Sequence, residues 1–282
     1  MKKILIPTDF SENASDALSY ALDFCDNQEV TIHIVNIINP NFLPIEAPEL
    51  SVNLLGQIVD EAKGRMKALE AFSIKRFGSP SIAQIKITTE VITGTISQSI
   101  KNEAKKENVD LIIMGTKGKN HNLTEKIFGT VTTSTVNDAP CPIIIVPQGY
   151  KFKPIDTLVY ASNLEPGDPY ELWRATELLK PLVSIAKVLY VNTTSNKEEN
   201  INRFAAYIES HNTTIQTQFH QVKSENVDET ILEYAENHDA EIIVMHRLHN
   251  SFWSRLFNKS HTKQMVFQTP VPLMVINHNE KN

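Results

Sequence analysis

Leu111-Ile112-Ile113-Met114-Gly115-Thr116-Lys117-Gly118, followed further on by Gly129-Thr130-Val131-Thr132, decides how the chain is read. An apolar run of the kind buried in a sheet stops abruptly at a glycine-rich loop. A second glycine with hydroxyl residues then leads into Thr133–Asn137, which has helical character. The order is strand, loop, helix start. Glycines let a backbone approach a ligand with its N–H groups free, and a helix start adds partial positive charge, so the pattern predicts a phosphate cradle. Thr130 and Thr132 offer hydroxyls and Lys117 a mobile cation. Glycines after a strand are also ordinary turn punctuation, but a second glycine with hydroxyls downstream of the same strand favours phosphate. The loop is not a Walker A sequence, because no Gly-Lys-Ser/Thr stands at the required spacing. Nor is it the dinucleotide fingerprint, whose third glycine would lie closer.

Outward from this loop, strands and helices alternate. Lys3–Pro7 reads as a strand, Ser11 as a helix N-cap, and Ala14, Ala17, Leu18, Ala21, Leu22 and Cys25 as one face of a helix over Glu12–Asp26. Val30–Ile37 is a second strand, and the prolines at 40, 44 and 48 hold Asn39–Leu50 irregular. A long helix then runs to about Arg76. Ile85–Ile92 is a third strand, a helix opens after Gly94-Thr95, and Cys141–Pro147 is a fifth strand. Such alternation predicts parallel sheets with right-handed crossovers.

The order then repeats. Val109-Asp110-Leu111-Ile112-Ile113-Met114 matches Ala240-Glu241-Ile242-Ile243-Val244-Met245, and Asn137-Asp138-Ala139-Pro140-Cys141-Pro142-Ile143 compares with Gln268-Thr269-Pro270-Val271-Pro272-Leu273 in layout. In the second half strands are expected at Thr157–Ala161, Ala186–Val191, Ile215–Val222, Glu241–Met245 and Pro272–Ile276. Helices are expected near Tyr170–Leu179, Ile201–His211, Val227–His238 and Thr262–Gln268. The fold class is therefore α/β, as two similar domains at 1–148 and 155–282 joined at Gly149–Pro154. Each is an open five-stranded parallel sheet with helices on both faces and its own core. The last strands, Pro142–Val146 and Pro272–Ile276, are apolar edges and are expected to cover each other as an intrachain pseudo-dimer. Whether two such chains then pair as a homodimer stays open.

Bulk properties narrow the function. A net charge of −6 argues against general nucleic-acid or anionic-membrane binding. Two cysteines, Cys25 and Cys141, make neither a disulfide framework nor a zinc cluster, and both sit in apolar patterns as expected buried thiols. The start Met1-Lys2-Lys3-Ile4 leads straight into a strand, so a reduced, cytoplasmic protein is expected.

Ile4-Leu5-Ile6-Pro7-Thr8-Asp9-Phe10-Ser11, Asp110–Gly118, Gly129–Thr132 and Cys141–Pro147 resemble the universal stress protein family in its tandem form. The resemblance implies a stress-response regulatory protein that binds an adenine nucleotide, ATP or another, with or without Mg, at the strand C-terminal ends of the first half, and an unidentified protein partner. Pro7, Thr8 and Asp9 would line the adenosine, with Asp9 accepting from ribose hydroxyls or the adenine amino group. The same aspartate also reads as an Asx turn into the first helix. Ile34, at the expected end of the second strand, would flank the base through its backbone, or else be sheet core. Gly115, Lys117 and Gly118 would meet phosphates or ribose, and Gly129, Thr130, Val131 and Thr132 the phosphates. The loop has one residue more than the family pattern Gly-x2-Gly-x9-Gly-Ser/Thr.

In the second half Ala161-Ser162-Asn163 replaces Pro-Thr-Asp, and His246-Arg247-Leu248-His249 replaces the paired glycines, so no nucleotide is expected there. His246, His249 and His261 lack cysteine or carboxylate partners in sequence and are taken as surface or interface histidines, with no metal site. Phe252–Phe257 reads as aromatics packing their own loop, and Trp173 as core or interface filler. No catalytic constellation accompanies the loop. Slow ATP hydrolysis or self-phosphorylation remains an alternative, as does a nucleotide-free scaffold.

Overall fold

The computed structural model describes residues 2–26, 28–42, 48–76, 85–116, 130–192, 198–210, 215–246 and 269–277. The first half runs β1 (Lys2–Thr8), α1 (Glu12–Phe24), β2 (Val30–Ile38), α2 (Pro48–Arg76), β3 (Ile85–Thr93), α3 (Ile96–Lys106), β4 (Leu111–Gly115), α4 (Thr130–Asp138) and β5 (Ile143–Val146). The second runs β6 (Thr157–Ser162), α5 (Asp168–Leu179), β7 (Ile185–Asn192), α6 (Glu198–Ser210), β8 (Gln216–Lys223), α7 (Val227–Asn237), β9 (Ile242–His246) and β10 (Leu273–Ile276). The Ser11 hydroxyl accepts from the Ala14 amide and so starts α1 where the sequence placed it. One boundary differs: α2 begins at Pro48, inside the stretch expected to be irregular. Proline at the first helical position loses no helical hydrogen bond, so it opens this helix instead of excluding it. The helix expected at Thr262–Gln268 lies outside the described residues.

All ten strands form one sheet, ordered β3-β2-β1-β4-β5-β10-β9-β6-β7-β8. Neighbours are parallel within each half. At the centre β5 and β10 pair antiparallel, with Met274 opposite Ile144. The two edges expected to cover each other do so. Further ties cross the seam: the Asn277 side-chain amide donates to the carbonyls of Val136, Ala139 and Cys141, and Lys2 Nζ donates to those of Leu178 and Lys180. Gly149–Pro154 is packed as well, since the Gly149 amide donates to Asp16 Oδ2 and Phe152 meets Tyr20 edge-on.

The expectation of one core per half gives way to one core per sheet face. One joins Ile4, Ile6, Leu18, Phe24 and Ile144 to Leu158, Leu172, Phe204 and Met274. The other joins Leu5, Ile100, Ile112 and Ile143 to Val159, Ile231, Ile243 and Leu273. A continuous sheet gives each face an unbroken apolar surface, so the cores run across the seam. Cys25 and Cys141 are both buried, and burial pushes the Cys25 thiol up to about 12.

Three tyrosines make the folded state sensitive to alkali. Burial raises Tyr20 and Tyr160 well above their ordinary value and Tyr234 to about 12. Groups of raised folded pKa contribute stability that is present below the unfolded value near 10 and lost as pH rises through the folded one. The denaturant midpoint is therefore expected to fall between pH 9 and pH 12, with phenolate absorbance from Tyr20 and Tyr160 appearing only as the chain unfolds. An unchanged midpoint across that range would contradict the burial argument.

Candidate nucleotide crevice

Connections from β1 run outward through β2 and β3, whereas β4 and β5 lie on the other side of β1. The gap beyond the C-terminal ends of β1 and β4 is therefore a topological switch point, where open α/β sheets bind ligands. The strands are in register as Ile4↔Leu111 and Leu5↔Ile112, so Thr8-Asp9 and Gly115-Thr116 emerge at the same end.

Pro7 and Thr8 close β1, and Asn36 on β2 ties down that end by donating to the Thr8 carbonyl. Asp9 is exposed, and its Oδ1 accepts from the Ser11 amide, the Asx turn anticipated as its local role. That bond uses one carboxylate oxygen. The turn also places Phe10 at φ 63°, with its amide donating to Thr8 Oγ1. Of its two expected roles, Ile34 takes the sheet-core one. β2 continues to Ile38, so Ile34 is a fully buried mid-strand residue opposite Ile6, and Asn36 is the residue level with Thr8. Beyond Ile34 the run continues as Val35, Ile37 and Ile38 with only Asn36 polar, and nothing in it marks an earlier stop.

Gly115 has a packing reason of its own. A Cβ there would lie 2.4 Å from the Asn13 carbonyl oxygen, so α1 needs a glycine at this rung for its first turn to reach the sheet. Beside it, the buried Asn13 Oδ1 has no hydrogen-bond partner among the described residues. Thr130 is the first residue of α4, and Val131 and Thr132 complete its opening turn, with Thr132 buried. They are therefore part of the helix, not a lead-in to it. Their amides belong to the turn that has no intrahelical acceptors. Lys117, Gly118 and Gly129 lie outside the described residues.

Equivalent positions in the second half keep the backbone and change the chemistry. Leu164 repeats the positive φ of Phe10, at 60°, and its amide donates to Ser162 Oγ. Yet Ser162 Oγ and Tyr160 Oη donate to the fully buried Asp168, and Arg174 holds the buried Glu171 and donates to the Asn277 carbonyl. His246, 3% exposed, stands at the end of β9 where Gly115 ends β4. Buried polar side chains thus occupy this part of the second half. Trp173, expected as filler, is half-buried against the exposed Tyr170 at 5.7 Å between rings. His249, His261 and Phe252–Phe257 lie outside the described residues.

Among the described residues one group could hold a metal ion: His33, Glu90 and Glu103. The sequence reading did not single it out. Its members lie far apart in the chain, and only strand register brings His33 and Glu90 together. The one signal was a histidine and an acid each interrupting an apolar alternation. No helix among the described residues is long and apolar enough to cross a membrane.

The model of the Universal stress protein family matches residues 1–147 and 180–277. A universal stress protein of Methanocaldococcus jannaschii is 32% identical over 149 residues, covering 51% of this chain and 81% of its own length. One of Synechocystis is 30% identical over 146 residues, covering 52% and 85%. The crystal structure of a universal stress protein from Archaeoglobus fulgidus superposes with a TM-score of 0.71 at 20% identity, over 99% of this chain and 97% of that one. It shares the fold across both halves.

Proposed function

This chain belongs to the universal stress protein family, and on that footing we propose that it is a cytoplasmic stress-response regulator binding one adenine nucleotide per chain in the first-half crevice. The observation that carries the reading is the asymmetry between the halves. At the β1–β4 switch point lie an exposed carboxylate, a glycine and, in the first turn of α1, a buried amide oxygen with no partner among the described residues. At the equivalent place in the second half stand Asp168, Glu171 and His246, all buried. Adenosine brings hydroxyl and amino donors, and Asp9 and Asn13 Oδ1 are acceptors without a full set of donors. The opening turn of α4 supplies amides and partial positive charge for phosphates. Thr8, Asp9, Gly115 and Thr130–Thr132 would hold the nucleotide, with Pro7 beside the adenosine and Lys117, Gly118 and Gly129 completing the loop. Mg would enter, if at all, with the phosphates of ATP. The proposed domains remain 1–148 and 155–282.

Native mass spectrometry of freshly purified protein, followed by calorimetric titration with ATP, ADP and AMP with and without Mg, tests occupancy and choice of nucleotide. Thr130→Pro removes one amide at a helix position where proline fits, so the fold should persist. Affinity is expected to fall about tenfold or more, the worth of one hydrogen bond to a charged group. Asp9→Asn keeps the turn but removes the charge and should weaken every adenosine ligand alike. Binding unaffected by both substitutions, or two nucleotides per chain, would refute the assignment.

A further inference from the structure

Away from the crevice, His33, Glu90 and Glu103 meet on the α3 side of the sheet. His33 on β2 is level with Thr88 on β3, and Glu90 follows two residues further along β3. His33 Nε2 lies 3.2 Å from Glu103 Oε1 and 3.7 Å from Glu90 Oε2. A tetrahedral zinc ion with bonds near 2.1 Å separates its ligand atoms by about 3.4 Å, so the two histidine–carboxylate spacings lie close to the edges of such a polyhedron, and all three ligand atoms lie within 4.8 Å of one another. The other ring nitrogen, Nδ1, is 2.8 Å from Thr88 Oγ1, which fixes the ring as outer partners of metal-bound histidines do. With Nε2 deprotonated, the ring presents a lone pair beside the buried Glu103 carboxylate, two donors that one cation can share.

The structure supplies a weak one. Lys106 Nζ lies 3.0 and 3.2 Å from the two oxygens of Glu103 and 3.4 Å from Glu90 Oε2. Its side chain is 57% exposed, whereas those of His33 and Glu103 are 8% and 6% exposed. The buried ligands are thus preset, and the cation is tethered by a flexible arm that can swing into water.

The internal repeat shows that the fold does not need this group. The Leu5↔His33↔Thr88 rung corresponds to Val159↔Lys187↔Gln218, and Glu90 to His220. Glu103 precedes Ala104, whose carbonyl accepts from Val109; Tyr234 precedes Ala235, whose carbonyl accepts from Ala240 in the same way. At the second position the set is thus Lys187, His220 and Tyr234, with Tyr234 stacked on His238 at 3.8 Å. It holds no carboxylate. Packing is satisfied there by aromatic rings, so the His-Glu-Glu set of the first half is a surplus over what this architecture requires.

We propose that His33, Glu90 and Glu103 form a divalent-metal site of the zinc class, from which the metal displaces the Lys106 ammonium. One imidazole and two carboxylates suit Zn(II) or Co(II), with a water completing four-coordination. The site is independent of the crevice, since neither β1 nor the loop before α4 contributes a ligand.

Calorimetric titration of the metal-stripped full chain with Zn(II), and with Co(II) followed by its visible absorption, tests it. One equivalent is expected to bind. Glu103→Gln and Glu90→Gln should each weaken zinc at least about tenfold, as losses around metal sites do. Lys106→Met should tighten it severalfold by removing the competing cation. Glu90, 42% exposed, tolerates substitution even if the buried Glu103 variant folds poorly. Zinc affinity unchanged in Glu90→Gln, or weakened in Lys106→Met, would overturn the assignment, as would no zinc binding at all. Nucleotide binding in Glu90→Gln should match the unaltered chain, which separates this test from that of the crevice.

Discussion

Gly115→Ala is expected to destabilise the chain by about 3 kcal/mol, at the upper end of the cost of forcing one methylene into a well-packed site. The reason is geometric: the added Cβ would meet a backbone oxygen at 2.4 Å and its carbon at 2.9 Å, and neither can rotate away as a side-chain tip can. Relief requires moving the first turn of α1 off the sheet, which would also disturb the Asp9–Ser11 turn leading into it. For a chain of this size the thermal midpoint should fall by roughly 6–12 °C. Gly167 provides the control, because a Cβ there meets nothing within 4 Å. Gly167→Ala should stay within about 0.5 kcal/mol, the range of surface substitutions. Equal midpoints for the two alanine variants by differential scanning calorimetry would remove the packing explanation for Gly115.

Met274→Asp is expected to abolish cooperative folding. Met274 is fully buried at the centre of the sheet, facing Ile144 across the antiparallel seam, in a core that draws on both halves. A lone carboxylate there has no described cation to pair with, and losses above about 4 kcal/mol arise from this kind of burial. That is a large share of the stability of an ordinary protein, about 5–15 kcal/mol. Met274→Leu, close in volume, should cost less than about 1.5 kcal/mol. Chemical denaturation followed by circular dichroism distinguishes the outcomes. A Met274→Asp chain that unfolds in one transition at the usual midpoint would mean that the seam is dispensable and the halves stand alone.

Both predictions concern places where sequence reading and structure part company in an instructive way. Gly115 was legible as a special residue, since a glycine ending an apolar run is conspicuous, but it was read toward a ligand. The structure adds that helix α1 lies against it, a contact between segments remote in sequence that no local pattern encodes. Which of its two roles Ile34 takes was not legible, because a mostly apolar run shows no rung numbers: only the pairing of Thr8 with Asn36 reveals which β2 residue is level with the end of β1. His33, Glu90 and Glu103 escaped notice for the same cause. Each is unremarkable alone, and their meeting depends on the register of two strands and the phase of one helix.

What the sequence determined by itself was everything with a short period: strand and helix order, the duplication, the buried character of both cysteines and the apolar end strands that had to be covered. Periods of two and 3.6 residues are set by backbone geometry, so they survive without knowledge of the partner segments. The tertiary structure alone decided that the cores run continuous across the seam, that Gly115 is held by α1, and which polar side chains converge. Such facts depend on distances between segments far apart in the chain, and side-chain chemistry fixes those only after the whole sheet has closed.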